Sequence, residues 1–116
     1  MDTENQQQRR IILYMLLSNI PQGRLATYGQ LAKLMGYPGA ARWVGRTLSQ
    51  LPADTQLPWH RVVAAGGRLS VPANTPAGDE QRQRLRDEGI FVQGDRVKLG
   101  NYQWQPAAVS QNKVCF

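Results

Sequence analysis

The amino-acid sequence predicts a mainly α-helical domain with small β elements, arranged as a winged helix-turn-helix. Two helical segments, residues 27–36 and 40–51, are separated by the turn Tyr37-Pro38-Gly39, which gives the outline of a helix-turn-helix. Residues 90–99 predict a hairpin around Gly94-Asp95 that would form the wing. A chain of 116 residues is long enough to bury one modest core. We therefore place a single domain at residues 1–106.

The first predicted helix covers residues 4–19 and stops at Pro21 and Gly23. Its apolar side chains indicate a broad buried face made of Ile11, Ile12, Tyr14, Met15, Leu16 and Ile20. Thr27 and Gln30 have the spacing of a capping box, which predicts the start of the next helix. That helix continues to Gly36, and the one after the turn has an inner face of Val44, Leu48 and Leu51.

The second half of the chain predicts short elements joined by loops. Strands are expected at residues 61–63 and 67–69, on either side of Ala64-Ala65-Gly66. Residues 70–78 contain so many turn formers that we expect a loop. A strongly polar helix follows at residues 79–88, and because Leu85 is almost its only inward anchor, much of it should face solvent. Residues 107–116 show no pattern, and we expect a disordered tail.

The charge balance is basic. Lys and Arg number 14 against 8 Asp and Glu, which gives a formal net charge of +6. An excess of this size favours a polyanionic partner, because binding releases counterions from phosphates. A solvated basic face without any ligand explains the same charge equally well.

Single copies of cysteine and histidine limit the chemistry. Cys115 is the only cysteine and His60 the only histidine, which excludes an intramolecular disulfide and a zinc site built from several such ligands. We expect no metal and no other cofactor. The polar N-terminus does not have the pattern of a signal peptide, and the apolar run at residues 11–17 is too short to cross a bilayer. We expect a cytoplasmic monomer that does not contact a membrane.

Four short motifs follow one another along the chain. They are residues 27–32 (Thr-Tyr-Gly-Gln-Leu-Ala), 40–45 (Ala-Ala-Arg-Trp-Val-Gly), 58–63 (Pro-Trp-His-Arg-Val-Val) and 86–89 (Arg-Asp-Glu-Gly). In this order and at this spacing they resemble the O6-alkylguanine-DNA alkyltransferases, specifically the DNA-binding domain of that family, over residues 9–106. The third motif of the family is Pro-Cys-His-Arg-Val, so Trp59 stands where the reactive cysteine is found. An indole has no nucleophilic thiolate. The chain therefore resembles the alkyltransferase-like proteins, which bind alkylated guanine without repairing it.

The resemblance implies a protein that binds O6-alkylguanine in double-stranded DNA and directs the lesion to nucleotide excision repair proteins. A base must be rotated out of the duplex before such a protein can hold it. By resemblance, Arg42 is expected to fill the gap that the flipped nucleotide leaves, with its helix in the minor groove. Tyr28 is expected to help rotate the target phosphate. Thr27, Ala41 and Arg46 are the expected contacts to the DNA backbone.

The same resemblance implies a pocket for the flipped base. Trp59 is expected to line it and to pack against the O6-alkyl group. Pro58 would fix the approach of the chain, and the carbonyl of Val62 would meet the guanine edge. The loop after Ser70 would form the opposite wall. There Pro72 stands where some alkyltransferase-like proteins place an arginine, and Arg68 is the nearest replacement, so we expect a more permissive pocket.

His60 and Glu88 match the His–Glu relay of the family, and His60 also belongs to the expected pocket. Without a thiol to activate, we prefer a structural role for this pair. Two alternatives to a non-catalytic sensor stay open at this point. The protein could be an enzyme that uses Cys115, or a water activated by His60 and Glu88, or it could be a winged helix-turn-helix regulator that reads undamaged DNA.

Overall fold

The computed structural model describes residues 2–106, with side chains from residue 5 onward. Within this range the helices are α1 (Asp2–Ser18), α2 (Tyr28–Leu34), α3 (Ala41–Ser49), α4 (Pro76–Asp87) and α5 (Leu99–Tyr102). The strands are β1 (Ala26–Thr27), β2 (Val62–Val63), β3 (Val92–Gln93) and β4 (Arg96–Val97). This mainly helical architecture with small sheets confirms the predicted fold class. The expected disorder of residues 107–116, with Cys115, falls outside the described residues.

Helix α1 packs on the core through a face that the sequence analysis identified only in part. Leu13, Leu17 and Ile20 are fully or almost fully buried, whereas Ile11 is 57% and Met15 is 61% exposed. Predicting Ile11, Ile12 and Met15 as buried was therefore wrong, because an unbroken apolar run surrounds the helix and its periodicity does not select a side. Neither α1 nor any other helix within residues 2–106 is long and apolar enough to cross a membrane.

Helix α2 begins where the capping signal predicted. The side chain of Thr27 accepts a hydrogen bond from the backbone N–H of Gln30 at 3.0 Å, which satisfies one of the free donors of the first turn. The side chain of Gln30 does not return to Thr27. Its Nε2 donates to the backbone carbonyl of Trp104 at 2.7 Å and so fastens the C-terminal segment to α2. Gly36, with φ of +91°, reverses the chain after the helix.

Helix α3 completes the predicted helix-turn-helix. It packs on α2, and Val44 is fully buried in the same cluster as Leu31 of α2. The helix ends at Ser49, two residues before the predicted end. Leu48 and Leu51, expected on the inner face, are only partly buried, because they border an open cavity described below.

Strand β2 pairs with a partner that the sequence analysis did not predict. Val62–Val63 lies parallel to Ala26–Thr27, with Ala26 opposite Val62 and Thr27 opposite Val63. The strand predicted at residues 67–69 is absent as a strand, and only isolated bridges from Arg68 to Ala64 and to Arg96 are formed there. Arg61, predicted as strand, belongs to a short 3₁₀ turn, Trp59–Arg61. The pairing places the third motif directly beside the start of the helix-turn-helix.

The predicted hairpin is present as β3 and β4, which are antiparallel around Gly94 and Asp95. Gly94 adopts φ of +62°, a conformation that suits glycine in a tight turn. Arg96 of β4 is also bridged to Arg68, so the wing extends across a third chain segment. Behind the wing a second apolar cluster contains Leu25, Val63, Leu69, Leu85, Ile90, Val92 and Val97.

Helix α4 starts three residues earlier than predicted, so the expected loop at residues 70–78 is too long. Thr75 accepts a hydrogen bond from the N–H of Gly78 at 3.1 Å, and Pro76 occupies the first helical position. A Cβ at position 78 would overlap the Pro72 carbonyl, so the loop packs against the helix only because glycine is there. Leu85 is not the only inward residue, since Gln81 is 1% and Arg82 is 5% exposed.

Candidate functional site

A cavity of about 670 Å³ opens between the helix-turn-helix, the third motif and the first turns of α4. Tyr28, Arg42 and Arg46 line it from the helix-turn-helix, and Trp59 lines it from the motif. Its remaining walls are mostly apolar and include Leu48, Leu51, Pro52, Ala53, Val71, Pro76 and Ala77. Glu80, which is paired with Arg84, also lines the cavity, so the cavity combines cationic side chains and a carboxylate with mostly apolar walls.

The helix-turn-helix side of the cavity carries the residues expected to act on DNA. Arg42 and Arg46 are four residues apart, so they lie on one face of α3, and both are exposed. Tyr28, at the start of α2, is held by a hydrogen bond of 3.0 Å between its hydroxyl and that of Ser70. Thr27 and Ala41 stand at the first turns of the two helices. The fold thus brings Tyr28, Arg42 and Arg46 together around the same opening.

Trp59 is the one member of the expected lesion pocket that the structure places on the cavity wall. It is half-buried in the 3₁₀ turn, with its ring edge-on to His60 at a centroid distance of 6.3 Å. Pro58, His60 and Val62 are buried and do not line the cavity. The carbonyl of Val62, expected to meet the guanine edge, accepts a hydrogen bond from Gln81 at 3.2 Å.

The two remaining residues of the expected pocket, Arg68 and Pro72, lie outside the cavity lining and are exposed. Arg68 is directed to the wing through its bridge to Arg96. Pro72 accepts a hydrogen bond on its carbonyl from the Thr75 hydroxyl at 2.6 Å, so it belongs to the cap of α4. The loop wall is formed instead by Ser70 and Val71.

Glu88 joins three separate parts of the chain. Its carboxylate accepts hydrogen bonds from His60 Nε2 at 2.6 Å, from Arg61 Nη2 at 2.8 Å and from the backbone N–H of Gly23 at 2.8 Å. Arg61 in turn donates Nη1 to the carbonyl of Ile20 at 2.7 Å. Burial alone would raise the pKa of Glu88, but the bonds from Arg61, Gly23 and His60 outweigh it and lower the pKa to about 2. The carboxylate is therefore ionised at neutral pH.

His60 is neutral in this environment. Burial lowers the pKa of His60 below its ordinary value of 6.5, against the opposing hydrogen bond and charge of Glu88. Because the ionised Glu88 accepts at Nε2, that nitrogen carries the proton and Nδ1 is left as a free acceptor. Nδ1 is buried and has no hydrogen-bond partner in the part of the chain that the structure describes. The His60–Glu88 contact is thus a direct hydrogen bond, and the indole of Trp59 lies edge-on beside the imidazole.

Sequence reasoning missed Gln81 and Arg82, two buried polar residues of α4. Gln81 Nε2 donates to the carbonyls of His60 and Val62, at 3.3 and 3.2 Å, and so fixes the motif against α4. Arg82 donates to the carbonyls of Gly94, Val71 and Gly78 at 3.0–3.1 Å. The guanidinium of Arg82 therefore connects the wing turn, at Gly94, with the loop that carries Val71 on the cavity wall (the cavity loop). No signal in a polar helical stretch marks such residues, because their partners are distant backbone carbonyls.

The comparisons with known proteins agree with this geometry. The family model for the 6-O-methylguanine DNA methyltransferase, DNA binding domain, matches residues 7–90, and the chain belongs to this family. It is 41% identical over 95 residues to the DNA base-flipping protein of Vibrio parahaemolyticus, covering 81% of this chain and 93% of the relative. It is 33% identical over 99 residues to alkyltransferase-like protein 1 of Schizosaccharomyces pombe, covering 81% and 92%.

The fold is also that of a solved structure in the family. Schizosaccharomyces pombe Atl1, in complex with damaged DNA containing O6-carboxymethylguanine, superposes with a TM-score of 0.80 at 31% sequence identity. The alignment covers 86% of this chain and 97% of that structure. The resemblance inferred from the four motifs is thereby confirmed.

Proposed function

We propose that this protein binds duplex DNA containing O6-alkylguanine, rotates the alkylated nucleotide into the cavity and holds it without transferring the alkyl group. The observation that carries this proposal is the position of Trp59. It stands at the cysteine position of the family motif and on the wall of a cavity that also holds Tyr28, Arg42 and Arg46. The names of the relatives, a base-flipping protein and an alkyltransferase-like protein, support the same function.

Each step of base flipping has a residue in a suitable position. Arg42, exposed at the mouth of the cavity, fills the gap in the base stack with its long side chain. Tyr28, held by Ser70 at the same mouth, contacts the nucleotide as it turns. Thr27, Ala41 and Arg46 contact the phosphate backbone from the first turns and the outer face of the two helices. The net charge of +6 supports the approach to a polyanion.

The protein holds the lesion rather than repairing it because the residue next to the alkyl group is an indole. Trp59 offers apolar surface but no nucleophile. His60 is neutral, and its proton is engaged by Glu88, so the pair positions the motif. Cys115 is the only cysteine of the sequence, and it is separated from the third motif by more than fifty residues, about half of the chain. The mostly apolar walls support acceptance of alkyl groups larger than methyl.

A protein that binds a lesion without chemistry needs a partner to remove it. We place it as a cytoplasmic monomer that marks O6-alkylguanine for nucleotide excision repair proteins. The basis is the logic of the family resemblance: tight, non-catalytic binding distorts the duplex and leaves the lesion in place.

The test is a binding and transfer experiment on matched duplexes with guanine, O6-methylguanine or a larger O6-alkylguanine. Fluorescence anisotropy should give tighter binding to both lesions than to guanine, and 2-aminopurine beside the lesion should brighten as its neighbour is flipped. With radiolabelled alkyl groups, no label should move to the protein or be released. Equal affinity for damaged and undamaged duplexes would reject the sensor, and label on Cys115 would show an enzyme.

A further inference from the structure

We infer that Arg68 and Arg96 form a phosphate-binding pair on the wing, which holds the DNA backbone beside the cavity. The inference rests on the proposed function, because it takes the same damaged duplex as the ligand. It concerns a surface that the four family motifs do not include, since neither residue lies in any of them.

Two like charges face each other on the wing. Arg68 and Arg96 are directly opposite each other in an antiparallel bridge, and both are exposed. Side chains at such positions project from the same face of the sheet at close range, and like charges there are destabilising. Among the described residues the ion pairs are His60 and Arg61 with Glu88, and Arg84 with Glu80, so neither wing arginine has a carboxylate partner. A phosphate between the two guanidinium groups would remove the repulsion.

Arg68 projects from a segment that leads to Ser70 and Val71 on the cavity wall. Its backbone is extended, with φ of −80° and ψ of 133°. Leu69 is 3% exposed, whereas Arg68 and Ser70 on either side of it are exposed. In an extended segment, residues two apart share a face and are separated by about 7 Å. Ser70 lines the cavity and bonds to Tyr28, so Arg68 lies two residues from the cavity wall.

Hydrogen bonds connect the wing to the cavity wall. The buried guanidinium of Arg82 donates to the carbonyl of Gly94, in the wing turn, and to that of Val71, on the cavity wall. In addition, the N–H of Leu69 donates to the carbonyl of Asp95 at 2.7 Å. A phosphate on the wing is thus kept at a fixed distance from the nucleotide in the cavity, which reduces the entropy lost on binding.

The experiment compares Arg68→Gln, Arg96→Gln and the double variant with Arg86→Gln. Arg86 is an exposed arginine of the last turn of α4, about 15 Å along the helix from Pro76 at the cavity. Arg86→Gln therefore removes the same charge at a site that lies away from the proposed surface. Dissociation constants are measured against salt concentration for duplexes with O6-methylguanine and with guanine.

The double variant should weaken binding to both duplexes by roughly five- to tenfold near 0.1 M salt and lower the slope of log K against log salt by about 0.9, because the pair neutralises one phosphate. Each single variant should lie between the double variant and the wild type. Thermal stability should be unchanged or higher, because the repulsion is relieved. Arg86→Gln should change the slope much less.

Three results would overturn the inference. The first is an unchanged slope in the wing variants. The second is a loss confined to the O6-methylguanine duplex, which would place Arg68 in the lesion pocket. The third is a loss that Arg86→Gln reproduces, which would make it an effect of net charge. If the wild-type protein showed no preference for the lesion, the proposed function would fail, but the slopes on the guanine duplex would still test the wing.

Discussion

Replacing Glu88 with glutamine removes the charge at the junction of the motif, α4 and the turn before β1. The substitution keeps the size of the side chain but leaves Arg61 without its carboxylate. It also places an amide NH₂ group among donors from His60, Arg61 and the Gly23 N–H. The side chain of Glu88 is 9% exposed, and that of Arg61 17%, so neither group is freely rehydrated. We expect Glu88→Gln to be strongly destabilising.

The magnitude follows from the pKa of Glu88. A shift from 4.5 to about 2 corresponds to about 3 kcal/mol of preference for the ionised form in the folded state. Screening at the partly exposed Arg61 reduces this to about 2 kcal/mol. Because the folded pKa is the lower one, this stability is fully present above pH 4.5 and is lost as the pH falls through about 2.

Urea denaturation of the wild type and of Glu88→Gln, repeated over a range of pH, measures the effect. The difference in the free energy of unfolding should be about 2 kcal/mol or more at neutral pH and should shrink as the pH falls below about 4. The matched control is Glu80→Gln on the same helix. Its ion pair with Arg84 lies at the surface, with side chains 44% and 38% exposed, so it should cost about 0.5 kcal/mol or less. A Glu88→Gln difference that is independent of pH, or no larger than that of Glu80→Gln, would refute the reasoning.

Three further predictions concern other parts of the molecule. Since His60 is the only histidine, its NMR signal should titrate below 6.5 in the wild type, and lower still in Glu88→Gln, because the interaction that raises the pKa is gone. Arg82→Met should cost about 3 kcal/mol in denaturation experiments, because three carbonyls lose a charged donor. Arg42→Ala should weaken lesion binding by about 2 kcal/mol, or roughly 30-fold, and Tyr28→Phe by about 1 kcal/mol, both measured by anisotropy.

Each of these predictions has a contradicting outcome. A His60 signal that titrates above 6.5 would mean that the attraction of Glu88 exceeds the effect of burial. Arg82→Met with the stability of the wild type would mean that the wing and the cavity loop are held by other contacts. If Arg42→Ala and Tyr28→Phe both kept wild-type affinity for the lesion, the base-flipping model would be wrong.

Short sequence patterns predicted correctly those structural features that depend only on residues close together in the chain. The cap at Thr27 and the hairpin at Gly94 depend on residues within a few positions of each other, and both are present. The apolar run of α1 does not specify a buried face by itself, because that face is determined by the other elements that pack against the helix. The parallel pairing of Ala26 with Val62 joins residues 36 positions apart, with no local sign in either segment.

In the candidate site, too, some residues could be predicted from the sequence and others could not. The motif at residues 58–63 identified Trp59, and the structure places it on the cavity wall. Arg68 and Pro72 were assigned to the pocket by the family resemblance. In the structure Pro72 belongs to the cap of α4 and Arg68 is bridged to the wing, and neither residue lines the cavity. Gln81 and Arg82 gave no signal, because a buried polar side chain in a polar helix is recognised only once its carbonyl partners are known.

The two-residue ladder between β1 and β2 also sets which lengths of chain can vary. Side chains of a strand alternate between faces, so a slip of one residue would turn Val62 and Val63 over and rotate Trp59 with them. The loop between α3 and Trp59 connects two segments that are each held by their own contacts, so it can accommodate an added residue without moving either segment. An added residue between Trp59 and Val62 would not be absorbed. In this protein the distance from the indole to the ladder is fixed, whereas an insertion in the preceding loop would leave Trp59 in place and change the part of the cavity wall formed by Leu51, Pro52 and Ala53.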